Sequence, residues 1–193
     1  MFRYNVVKQV NCTGDITATL KRTTQKGNRG KIVTDSQEIM RIMLKFSEMS
    51  PSGFAVALHA RFTAAEYVHQ TYSKTWSAIY SQNGYVMHDP TVSFGFQQLG
   101  TIRWSALAAL DTMKIYEQAR AYGLNYGFAC AVEIEGNRSF AGFSRPDREF
   151  DDAEMAEMLG DLGLLHDLTG KPGVLTPALR DELRDLAVRF TKP

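Results

Sequence analysis

Apolar residues recur at helical spacing in several stretches of this chain and run together at strand length in others. Ile39, Ile42, Met43 and Phe46 stand three, one and three apart, which predicts a helix capped by Asp35 or Ser36. Ser50-Pro51-Ser52-Gly53 stops it. Residues 54–58 form a short apolar run of strand length, extended by 60–62. Tyr72, Trp76 and Tyr80 follow at i, i+4 and i+8, predicting one aromatic stripe along a helix that ends at Asp89-Pro90. Residues 91–99 read as a short helix broken by Gly100, and 101–104 as a brief strand or extended turn. A helix is predicted over 111–121, with Met113, Ile115, Tyr116 and Ala119 apolar and Gly123 just past its end.

Residues 127–134 are a continuous apolar strand. Glu135-Gly136-Asn137-Arg138 supplies hairpin turn chemistry, and 139–144 returns. A long amphipathic helix over 150–168 turns Met155, Met158, Leu159, Leu162 and Leu165 inward. Gly170-Lys171-Pro172-Gly173 reads as a linker. Thr176 then caps a last helix with Pro177 at its first position and Leu179, Leu183, Leu186 and Phe190 as its stripe. Helices around a mostly antiparallel sheet predict an α+β fold.

With 193 residues and 44% hydrophobic content, the chain is long enough to bury a core of its own. A formal net charge of +1 points to neither nucleic acid nor a membrane, but the charge is unevenly spread. Residues 1–34 hold seven Lys/Arg against Asp15 alone, while 147–193 hold eleven acids against six basic residues. The expectation is a basic arm, with a short helix near 16–20, lying on or near an acidic C-terminal half. Cys12 and Cys130 make no disulfide framework, and Cys130 sits in an apolar run that keeps a thiol inert. The expected setting is cytoplasmic, with no membrane span. His59, His69, His88 and His166 lack metal-ligand spacing, and no nucleophile elbow or phosphate loop occurs, so neither metal nor enzyme is expected.

The candidate chemistry lies between Tyr72 and Trp104, where indole N–H groups, phenols and the Asp89 carboxylate stand on an apolar background. That mixture suits a small amphiphile with a polar head and an apolar tail. Asp89 is equally a capping residue for a helix starting at Pro90, and Gly127 equally a plain strand start.

The set Trp76-x3-Tyr80-x8-Asp89-Pro90-x13-Trp104, with Gly127 opening an apolar strand, resembles the autoinducer-binding domain of LuxR-type quorum-sensing regulators over residues 35–168. The resemblance implies an α-β-α sandwich enclosing an N-acyl-homoserine lactone. It implies that Trp76 donates to the lactone carbonyl, Asp89 accepts the ligand amide and Tyr80 meets the acyl carbonyl. Trp104 would wall the lactone ring and Gly127 would leave room for it. Pro90 belongs to the motif, and Tyr72 and Ser144 match positions whose polar groups vary with the acyl chain. Gly100 departs from the proline that many relatives carry. The implied organisation is a basic arm (1–34), a sensor domain (35–168) and a linker with a C-terminal helix (169–193). That helix resembles the start of a helix-turn-helix reader, and only six residues follow Ala187. The chain alone is therefore not expected to bind DNA. The expected partners are a second copy or a full-length LuxR-type regulator. The other reading is a sensory module for a different apolar metabolite, acting through protein partners.

Overall fold

A computed structural model describes residues 34–61 and 64–191. The expectations for the basic arm, its short helix and Cys12 lie outside the described residues.

Helix α1 (Asp35–Met49) starts one residue earlier than its acidic first turn suggests. Thr34 is the cap, its side chain accepting from Gln37 while the Gln37 side chain accepts from Thr34 N–H. Strand β1 (Gly53–Arg61) follows, then β2 (Ala64–Gln70), which the sequence pattern does not reveal. It is an edge strand with most side chains exposed, so it carries no hydrophobic alternation to read. Helix α2 (Lys74–Gln82) is capped by Ser73, so Tyr72 precedes the helix instead of standing on its aromatic face. After a 3₁₀ turn (Tyr85–Met87) come α3 (Pro90–Gln97), β3 (Gly100–Arg103) and a single helical turn, α4 (Trp104–Leu107).

The next helix, α5, is only Ile115–Arg120, shorter than its pattern predicts. Lys114 holds a φ of 53°, breaking the run, and Met113 is exposed. Strands β4 (Tyr126–Ile134) and β5 (Asn137–Arg145) form a two-residue hairpin, with Glu135 and Gly136 both at positive φ as such a turn requires. Helices α6 (Asp152–Gly170) and α7 (Pro177–Phe190) are capped by Asp151 and Thr176. The last residue of the predicted α7 stripe, Phe190, is exposed.

The five strands pair in the order β2-β1-β5-β4-β3, every pair antiparallel. Alternation gives the sheet two apolar faces. Phe54, Val56 and Leu58, with Phe128, Cys130, Ala141 and Phe143, meet α1, α6 and α7 on one side. Leu179, Leu183 and Leu186 of α7 belong to that core. Ala129, Ala131 and Phe140 face α2 to α5 on the other. The result is an α-β-α sandwich. Among the described residues no helix is long and apolar enough to cross a membrane.

A bulge in β1 sets His59 at φ 54° and turns its ring toward α6. There it bonds Thr169 at 2.8 Å and Asn137 at 2.9 Å and lies 4.6 Å from the ring of His166, which bonds Ser139 at 2.7 Å. Arg61 and Glu66 act on His59 in opposite senses, and Asp167 lies near His166. His69 stacks on Phe54, its buried Nε2 without a partner among the described residues. Burial lowers all three pKa values, that of His69 to about 4.

Neutral in the fold, these rings titrate near 6.5 in the unfolded chain, so the unfolded state takes up protons first as pH falls. Stability should be whole above pH ~6.5 and drain toward pH ~4, by about 3 kcal/mol for His69 alone. Denaturant midpoints at pH 7 and 4.5 measure this. The His69→Leu variant should show a shallower acid limb, and an unchanged limb would refute the assignment.

Candidate ligand chamber

Asp89 caps α3, its Oδ1 accepting from Thr91 N–H at 2.8 Å, because a carboxylate before Pro90 satisfies an orphan donor of the first turn. Its Oδ2 accepts from the Tyr80 hydroxyl at 2.8 Å. Capping and facing the site are thus compatible. Two of the roughly four lone-pair directions of the carboxylate are used. Burial raises the Asp89 pKa, with Tyr80 and Thr91 pulling it back down. The same burial, together with the Asp89 charge, raises the phenols of Tyr72, Tyr80 and Tyr116, which stay protonated.

Tyr72 reaches the same space from the loop before α2, its hydroxyl donating to the Gly142 carbonyl at 3.2 Å. Trp76 and Tyr80, one helical turn apart on α2, meet edge to face at 6.1 Å. Trp104 opens α4 and lies flat on Tyr116, ring centres 4.8 Å apart. The sequence pattern reads Tyr116 as core; its position depends on Asp111, which accepts from both Ile115 and Tyr116 N–H and so starts α5 there. The Tyr116 hydroxyl bonds Thr91 at 2.9 Å. Trp104 Nε1 is buried without a hydrogen-bond partner among the described residues.

Tyr72, Trp76, Tyr80, Asp89 and Trp104 all line one cavity of about 360 Å³, roofed by α2 to α5 and floored by the sheet. The other three candidates sit elsewhere. Pro90 is buried as the first residue of α3 and holds the helix start rather than the cavity wall. Ser144 is fully buried, its one hydroxyl proton donated to Gly53 O at 2.8 Å across β1 and β5, and it lies outside the cavity lining. Gly127 makes room for Trp104: a Cβ there would stand 2.5 Å from the indole ring. Tyr80 also differs from expectation, since its one phenolic proton is committed to Asp89. Donors for a carbonyl in the chamber are the indole N–H groups, the Thr91–Tyr116 pair and the Gln70 and Ser81 side chains of the lining.

The sequence pattern alone did not bring in Thr91, Tyr116, Phe140 or Gly142. Their contribution comes from strand pairing and capping. Among the described residues no group of three or more His, Cys, Asp or Glu side chains could hold a metal.

A family model described as the autoinducer binding domain matches residues 37–169. Among solved structures the chain is similar to CepR2 from Burkholderia cenocepacia, described as an N-acylhomoserine lactone dependent LuxR family transcription factor. The TM-score is 0.53 and the identity 18%, over 77% of this chain and 88% of that one. It is similar to SdiA in complex with octanoyl-rac-glycerol, with TM-score 0.52 and 20% identity over 77% of this chain and 65% of that one. Escherichia coli SdiA in another crystal gives 0.52 and 21%, over 89% and 68%. No curated protein sequence matches. Given the matched span of residues 37–169 and the shared fold, the chain belongs to the autoinducer-binding domain family, the non-enzymatic, ligand-binding sensor of LuxR-type quorum-sensing regulators.

Proposed function

We propose that the chamber receives an N-acyl-homoserine lactone, its head held at Asp89 and its acyl tail along the apolar floor. One observation carries this reading: a half-buried carboxylate with spare acceptor capacity shares a 360 Å³ cavity with two tryptophans, one bearing a buried N–H that has no partner among the described residues. An amide N–H on Asp89 adds a charge-assisted bond worth about 1.5–3 kcal/mol. Each buried methylene adds about 0.8 kcal/mol. The tail thus dominates affinity and the head orientation. Signalling then passes through a paired chain, a second copy or a LuxR-type regulator carrying the DNA reader. Analytical ultracentrifugation with and without lactone tests that pairing.

Calorimetric titration with a lactone tests the site. Asp89→Asn keeps the helix cap but removes the charge, and should weaken binding about 10- to 100-fold without unfolding the protein. Trp76→Phe should cost about fivefold, one neutral hydrogen bond. Cys130 faces the opposite core, so Cys130→Ser should leave affinity unchanged. Wild-type affinity in both of the first two would remove the head-group assignment.

An acyl ester of a small polyol, such as the octanoyl glycerol held by SdiA, is the second occupant considered. It offers the same tail but no amide for Asp89. If Asp89→Asn weakens lactone and acyl glycerol equally, the amide contact is wrong.

A further inference from the structure

We infer that the chamber is open at the β2 edge and takes a tail longer than itself, making this a receptor for long-chain amphiphiles. The inference rests on the proposed lactone reading and assigns its chain-length class to particular residues.

The floor of the chamber crosses the strands. Gly142 lies on β5, Ala55 and Ala57 on β1, and Val68 on β2, which ends the sheet. Neighbouring strands stand about 4.8 Å apart, so β5 to β2 is about 10 Å. A fully extended chain advances about 3.6 Å per three bonds, so about eight bonds make the crossing.

The two ends of the floor differ. At Phe96 the ring packs edge to face on Phe140, centres 4.9 Å apart, and plugs the chamber. Beyond that plug lies a depression rimmed by Glu133, Glu135 and Arg138, with Arg138 paired to Glu133 at 2.6 Å. A methylene chain there would strip water from charges. At β2 the chamber is open, lined by Ala65 and Val68 with Gln70 at the end of the strand. Val68 is 61% exposed and Val86 51%, although both line the cavity, and Met87 beside it is 82% exposed. Exposed apolar side chains that continue a chamber wall mark where an apolar occupant leaves. A chain beyond about eight carbons crosses Val68 and runs out between Val68 and Val86.

The test is a calorimetric series of homoserine lactones with acyl chains from about six to fourteen carbons. Affinity should climb about fourfold per methylene inside the chamber, then more gently beyond about eight, without reversing. Val68→Asp and Val86→Asp change exposed positions. They should erase the gentle limb, and a far-ultraviolet circular dichroism spectrum matching the wild type reports that the fold is intact. A twelve-carbon lactone bearing a bulky fluorophore on its terminal carbon should bind about as well as the untagged one. Affinity that collapses beyond eight carbons, or rejection of the tagged ligand, shows a closed chamber and overturns the inference while the lactone reading stands. No binding at any length overturns both.

Discussion

A fitting acyl-homoserine lactone, at about a thousandfold excess over its dissociation constant, should raise the thermal unfolding midpoint by about 8–16 °C. A ligand bound only to the folded state stabilises it by about 4 kcal/mol at that excess. A domain of this size shifts by about 2–4 °C per kcal/mol. The structural ground is the cavity itself. Without an occupant, the walls of a 360 Å³ space forgo packing contacts, and the half-buried Asp89 carboxylate has, among the described residues, Tyr80 and Thr91 to offset its lost hydration. The ligand repairs both at once. Differential scanning fluorimetry measures the shift, and equal midpoints with and without a lactone that binds by calorimetry would refute it. Asp89→Asn, which removes the buried charge, should show a smaller ligand-induced shift from an apo midpoint no lower than the wild type.

Gly127→Ala should be among the most damaging single changes of one methyl group. The added Cβ would stand 2.5 Å from two ring atoms of Trp104 and 2.6 Å from the carbonyl oxygen of Phe143. One obstacle is a buried indole stacked on Tyr116, and the other is backbone of the central strand β5. Neither is the flexible end of a side chain, so the cost should reach about 3 kcal/mol, the upper end for overpacking. The midpoint should fall by about 6–12 °C. Relief for the indole lies toward the chamber, so lactone affinity should fall as well. The double variant Gly127→Ala, Trp104→Phe should regain part of the stability, since the smaller ring has room to shift away from the added methyl. Wild-type stability in Gly127→Ala would mean that the close approach is not as described.

Much of the site was readable because it is local. Trp76 and Tyr80 share a helix face, and Asp89-Pro90 is a cap followed by a first-turn proline, so both follow from spacing. Tyr72 has the right spacing and the wrong element: Ser73 caps α2, and the phenol arrives from a loop. Ser144 shows the opposite failure. It matched a family position whose polar group varies with the acyl chain, yet β1 brings Gly53 O within 2.8 Å from a point ninety-one residues away. Strand β2 stayed hidden for want of a buried face.

The sequence by itself determined which stretches form the main helices, which hairpin turns, and which aromatic and acidic groups stand close together along the chain. Side-chain caps, turn residues and apolar periodicity act within a few residues, so they are legible in order. Only the tertiary structure decided that Gly127 serves Trp104, that Tyr116 and Thr91 join the site, and that β2 leaves the chamber open. Those outcomes depend on which strands pair and in what register, and that is set by burying two faces of one sheet at once.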